Sequence, residues 1–144
     1  MTQNEKDLLI KDLCARLDTN LVCSIYRTDD EGVGYRDEIL HGYCKGDIWY
    51  EFYFREDCSI GIDNVSKIKP YLFPLSSMNE EQKNDCPISE TNLNIINSNI
   101  GYGIIEMPWR LSYLFVDWCN KNHFDYRGLI PMGLANDATG LNIY

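Results

Sequence analysis

The densest set of chemically capable side chains lies in WCNKNHFDYRGLIPMGL, residues 118–134. His123, Asp125, Tyr126 and Arg127 fall within five positions. A histidine beside a carboxylate can move protons near neutral pH, and a tyrosine and an arginine can hold an anion. That set would suit a small hydrolase or transferase. The chain carries no GxSxG, Walker loop, GxGxxG or HExxH motif, and the GVG and GYG triplets are too short to cradle a phosphate. No nucleophile is marked beside the histidine. The expectation is therefore a chain without catalytic residues.

Metal chemistry is the next possibility. Cys119 and His123 are four apart on an expected helix, and His41 and Cys44 are three apart near a turn. Together they could complete a tetrahedral zinc site. Neither pair has the short knuckle spacing of common zinc sites, and six cysteines make such pairs by chance. The expectation is no metal, no cofactor and six free, mostly buried thiols.

The elements that position these residues begin with a helix over 4–17. Leu9, Leu13 and Leu17 share one face with Ile10 and Cys14, and Asn4 stands where a cap belongs. A β-rich region follows over 21–69. DIWYEFYF, residues 47–54, alternates strongly, with Ile48, Tyr50, Phe52 and Phe54 on one face and Trp49, Glu51 and Tyr53 on the other. Tight turns between short strands suggest a curled antiparallel sheet, or an SH3- or Sm-like partial barrel. KIKPYLFPLSSM reads as an extended connector over 70–77, because Pro70 and Pro74 remove backbone donors. Ser77 and Glu80 suggest a capped short helix over 78–85, and residues 92–107 favour a hairpin over a helix. Pro108 suits the first position of a helix over 108–122, with Leu111, Leu114, Phe115 and Trp118 as its buried stripe. The tail, 136–144, reads as poorly ordered. The fold class is α+β in a single domain over 1–144, with a helical C-terminal part.

Placed on those elements, the 118–134 stretch has a structural reading. Trp118 and Phe124 bury on one side. Asn120 or Asn122 takes the left-handed conformation that ends a helix. His123 sits protonated at the helix end, and Asp125 caps the next turn. The binding residues are then sought elsewhere: Trp49 and Tyr53 on the outward side of the strongest strand, and Lys69, Tyr71 and Phe73 in the proline-spaced segment.

Three stretches, LLIKDLCARL, IKPYLFPLSSMNEEQK and DWCNKNHFDYRGLIPMGLA, resemble an uncharacterised family of short proteins. That family comes from gut Bacteroidales genomes and the phages and mobile elements that inhabit them. In relatives the middle block reads close to KPYLRPMSSMTEEE; here Phe73 replaces a basic residue and Leu75 a methionine. The resemblance implies a cytoplasmic accessory protein of a phage or mobile element, and supplies no activity or catalytic residue.

Charge narrows the partner. The net charge is −9, and residues 31–63 hold eight acids against three bases. Such a field repels phosphate backbones, so nucleic acid is disfavoured as a ligand. No apolar run approaches a membrane span, and the first 17 residues are interrupted by charges, unlike an export signal. The expected partner is a protein. An acidic decoy that imitates nucleic acid and occupies a host protein is the further alternative.

Overall fold

A computed structural model describes residues 1–29, 32–45, 50–55, 58–98 and 109–144. The chain is α+β. Helix α1 (Gln3–Ala15) leads into β1 (Val22–Asp29) and β2 (Gly32–Ile39), which pair antiparallel along their whole length. Then come β3 (Gly42–Lys45), β4 (Tyr50–Arg55) and β5 (Cys58–Gly61), a 3-10 turn at Ile62–Lys67, and β6 (Ile68–Leu72). Helices α2 (Glu80–Asp85), α3 (Glu90–Ser98) and α4 (Trp109–Lys121) precede a two-residue β7 (Asn136–Asp137).

Among the described residues the strands do not close into a barrel. They form a four-stranded sheet in the order β2-β1-β6-β7 and a three-stranded sheet in the order β3-β4-β5. The chain crosses between them at one corner, where Leu40 N donates to Leu21 O and His41 N donates to Tyr53 O. Two sheets turned at a corner can enclose a core without the ring of ladders that a barrel needs.

α1 begins one residue earlier than its apolar spacing suggested and ends two residues sooner, at Ala15. Thr2, not Asn4, is the cap: its side chain accepts from Glu5 N, and the Glu5 carboxylate accepts from Thr2 N. The same device starts α2, with Asn79 and Gln82 in place of Ser77 and Glu80. Leu9 and Leu13 of α1 pack against Ile25, Phe52, Phe54 and Ile68 in a first core. α3 replaces the expected hairpin over 92–98, with Leu93 and Ile96 buried on one helical face; residues 99–108 lie outside the described residues. α4 matches its expected span, but its buried face is centred on Phe115 and Cys119. Leu114 lies about 100° round the helix from Phe115 and is 41% exposed, so it is not in the stripe.

The larger correction concerns 70–77. Ile68–Leu72 is a strand, β6, flanked by β1 on one side and by β7 at its end. Pro70 faces Cys23, between the Ser24–Lys69 pair and the end of the ladder. In an antiparallel ladder alternate residues make no bond to a given neighbour, and β7 pairs only with Tyr71 and Leu72. Pro70 thus stands where neither neighbour asks for its missing N–H.

Candidate functional site

The 118–134 stretch turns around the C-terminus of α4. Phe124 N donates to Cys119 O at 2.9 Å and His123 N to Asn120 O at 3.3 Å, the paired bonds of a Schellman ending. The left-handed residue is His123, with φ +59°, rather than Asn120 or Asn122. After the turn, Phe73 N donates to His123 O and Asp125 N to Phe73 O, so the corner is stitched to the segment leaving β6.

A cation does complement the end of α4, but it is Arg16, the residue that caps the C-terminus of α1. Arg16 is fully buried. Its Nη1 lies 3.3 Å from Cys119 O and 3.5 Å from Asn120 O, and its Nη2 lies 2.8 Å from Phe124 O. Behind it, Asp12 accepts from Arg16 Nε at 2.8 Å and from Nη2 at 3.2 Å. Arg127 Nε stands 3.2 Å from the same carboxylate, and both guanidinium carbons lie over the Tyr126 ring, at 5.6 and 4.7 Å. This buried cluster ties α1 to the end of α4.

With Arg16 in that place, His123 cannot be the protonated cap that the sequence suggested. It is buried, its Nδ1 has no hydrogen-bond partner among the described residues, and burial followed by the Arg16 charge pushes its pKa down to about 4. Asp125 does cap the next turn. Its two oxygens accept from Leu129 N and Ile130 N, each at 2.8 Å, and burial raises its pKa against those bonds. Among the described residues no bond joins His123 to Asp125. The four polar residues therefore share a corner without forming a proton-transfer pair.

The histidine makes stability pH-dependent. Unfolded, it takes up a proton near pH 6.5; folded, it resists until about 4. Between those values the unfolded chain binds more protons, so stability falls as pH drops through that window and this group adds no slope outside it. The loss is at most roughly 3 kcal/mol. His123→Asn keeps a residue that tolerates positive φ but does not titrate. Melts of the two proteins should show the wild-type advantage shrinking from about pH 7 to about pH 4. A constant difference across that range would contradict this account of His123.

The other sequence candidates scatter. Tyr53 is half-buried on β4, its hydroxyl 3.2 Å from Glu51 Oε2, and Trp49 and Ile48 lie outside the described residues. Cys119 sits in a second core with Leu75, Phe115 and Phe124, away from the His41 corner, and His41 is exposed. Among the described residues no three His, Cys, Asp or Glu side chains converge. Phe73 is half-buried against Phe124. Lys69 lines a cleft of about 350 Å³ with Glu5, Ser66 and Met132, and Glu5 there is already engaged with Thr2.

Lys69 and Tyr71 do come together on a surface that sequence reading missed. By register, Ser24, Tyr26 and Thr28 of β1 share the outer face of the four-stranded sheet with Val33, Tyr35, Asp37 and Ile39 of β2. Lys69 and Tyr71 of β6 extend it, and the Tyr71 hydroxyl donates to Asp37 Oδ1 at 3.0 Å. Tyr26 and Tyr35 meet edge to face with centroids 5.2 Å apart. Val33 and Tyr35 are 67% and 64% exposed, a large apolar outlay for a sheet face. Compared with known proteins, the chain matches no family model, no curated protein and no solved structure. The reading of function rests on this geometry.

Proposed function

We propose that the chain is a non-catalytic interaction module that grips a protein partner through the outer face of β2, β1 and β6. The observation that carries this reading is the exposed patch of Tyr26, Val33, Tyr35 and Ile39, bordered by Tyr71. Single exposed apolar residues are ordinary, but a contiguous patch ringed by polar groups marks association. Tyrosines suit it, because they present rigid area with a polar tip. The net charge of −9 favours a protein over a nucleic acid as the partner. A role as a cytoplasmic accessory protein of a phage or mobile element draws on the resemblance of the three sequence blocks. The hydrolase reading draws no support from the corner, where His123 and Asp125 are each engaged structurally. The decoy reading needs evenly spaced acids on one open face, and on this face aromatic residues prevail, with Asp37 bonded to Tyr71.

The test compares two exposed tyrosines. Tyr113 on α4 is 67% exposed, much as Tyr35 is, but lies on a different element. A partner captured by the wild-type chain should bind Tyr113→Ala equally and Tyr35→Ala about tenfold or more weakly, the scale of a single hot-spot residue. Equal binding by both variants would sink the sheet-face assignment. An activity lost in His123→Ala would overturn the non-catalytic reading.

A further inference from the structure

β2 lies at one end of the four-stranded sheet, and among the described residues β1 is its only ladder partner. The register with β1 runs unbroken from Gly32 to Ile39, and just beyond it Leu40 N donates to Leu21 O. In an antiparallel ladder every second residue bonds to a given neighbour. Counting back by twos from Leu40, Glu38, Arg36 and Gly34 turn their backbone groups toward β1. Val33, Tyr35 and Asp37 turn theirs to the open edge. The side chains of the same three residues lie on the outer face of the sheet.

Edge strands are commonly guarded by a proline, a lysine or a bulge. Over Gly32–Ile39 β2 has none of these. Gly34 adds a second sign. Its φ is not in the left-handed region, and a Cβ built on it meets no atom within 4 Å, so neither conformation nor crowding asks for glycine there. A strand glycine without such a cause leaves room for another backbone to come close.

The register also sets the chemistry of an incoming strand. A residue directly opposite another on an antiparallel neighbour shares its face. Opposite Val33 and Tyr35, which are 67% and 64% exposed, apolar side chains would bury area. Opposite Asp37 the fitting group is a base. The Asp37 carboxylate accepts from the Tyr71 hydroxyl at 3.0 Å and has no ion pair among the described residues. Read along the incoming chain, the pattern is basic, any residue, apolar, any residue, apolar. The stretch around β2, residues 31–63, carries eight acids against three bases and favours the same kind of segment.

β2 does not offer this pattern to a second copy of itself. Pairing two open edges sets odd-numbered residues against odd-numbered residues, so Asp37 would meet Val33, Tyr35, Ile39 or another Asp37. Arg36, the one base in the strand, lies on the opposite face in every such register.

We propose that the open edge of β2 takes an extended segment of another protein by antiparallel strand addition, with a lysine or arginine opposite Asp37 and apolar residues opposite Tyr35 and Val33. The proposal rests on the sheet-face reading above and gives the form of partner which that face takes. Main-chain bonds to the edge hold the segment, and the outer side chains select it.

The probe is the acetylated, amidated peptide Thr-Lys-Thr-Val-Thr-Val-Thr, added to the full chain and followed by amide resonances. Binding should shift the Val33, Tyr35 and Asp37 amides and slow their exchange with solvent about tenfold or more. N-methylation of the two valines, whose N–H groups face β2, should weaken binding about tenfold or more, and N-methylation of the two inner threonines, whose N–H groups face away, should not. Glutamate in place of the peptide lysine should weaken binding about threefold or more, and Asp37→Asn should erase that preference. If Tyr35→Ala weakens binding while neither N-methylated peptide differs from the parent, the face binds without the edge: the sheet-face reading survives and strand addition is overturned. No binding of the peptide, or no preference for lysine, overturns the proposal as well, and the sheet face then stands or falls on the Tyr35 and Tyr113 comparison. Protection of the three amides in the chain alone as its concentration rises would give the edge to a second copy and overturn the proposal.

Discussion

Arg16→Met is expected to destabilise the fold by about 3–5 kcal/mol, the cost of breaking a buried ion pair from one side. The substitution removes the guanidinium but roughly keeps the volume, so a cavity adds little. What remains is electrostatic. Asp12, fully buried, loses its bidentate partner and, among the described residues, keeps the Arg127 contact at 3.2 Å. The carbonyls of Cys119, Asn120 and Phe124 lose a charged donor at the end of α4, where backbone oxygens already carry the negative end of the helix dipole. Arg16→Lys should fail too, because one ammonium cannot reach a carboxylate and three carbonyls in the way a planar fork does. Adding Asp12→Asn to Arg16→Met should restore part of the loss, since the stranded charge goes with it. Urea unfolding of the single and double variants measures this directly. A loss under about 1 kcal/mol for Arg16→Met would mean that water reaches the pair, and the buried-cluster account would be wrong.

That cluster shows how far local patterns carry. α1, α4 and β4 were legible because their apolar residues recur at the period of the element that holds them. Asp12 and Arg16 were legible in principle, since an ion pair four apart on the same side as Leu9 and Leu13 has nowhere to go but the core. What no spacing could reveal is the partner: the carbonyls that Arg16 meets lie 103 to 108 positions further along. The corner at 118–134 was singled out correctly as a helix ending. His123 was assigned the wrong charge there, because the cation that caps α1 had already taken the site at the end of α4. The tail failed for the same reason. NDATGLNIY looks like loose chain until the Tyr144 hydroxyl is found between Val22 N and Tyr71 O, with its ring stacked on His123. On β1 and β2 the strands were readable, but the shared face of Tyr26 and Tyr35 depends on register across the intervening loop. Pro70 misled in the opposite direction: a missing donor argues against a strand only where a neighbour needs that donor.

The second large effect falls on Phe124. From the sequence, Trp118 on the apolar stripe of α4 reads as a core residue whose truncation to alanine costs about 3–5 kcal/mol. In the fold Trp118 is half-buried; its ring stacks on Phe124 with centroids 5.3 Å apart, and its Nε1 donates to Asp85 Oδ2 at 3.0 Å near the surface. Phe124 is the member of the pair that lies inside, 1% exposed, in the second core with Leu75, Phe115 and Cys119. Phe124→Ala should therefore cost about 3–5 kcal/mol, and Trp118→Ala about 1–3 kcal/mol, mostly the stacking and part of the area. The backbone of residue 124 keeps its bond to Arg16 in the first variant, so the loss reports packing and not the ion cluster. Equilibrium unfolding in urea ranks the two. If Trp118→Ala proves the more damaging, the second core is centred on the α4 surface instead of the corner, and Phe124 is not the residue that joins them.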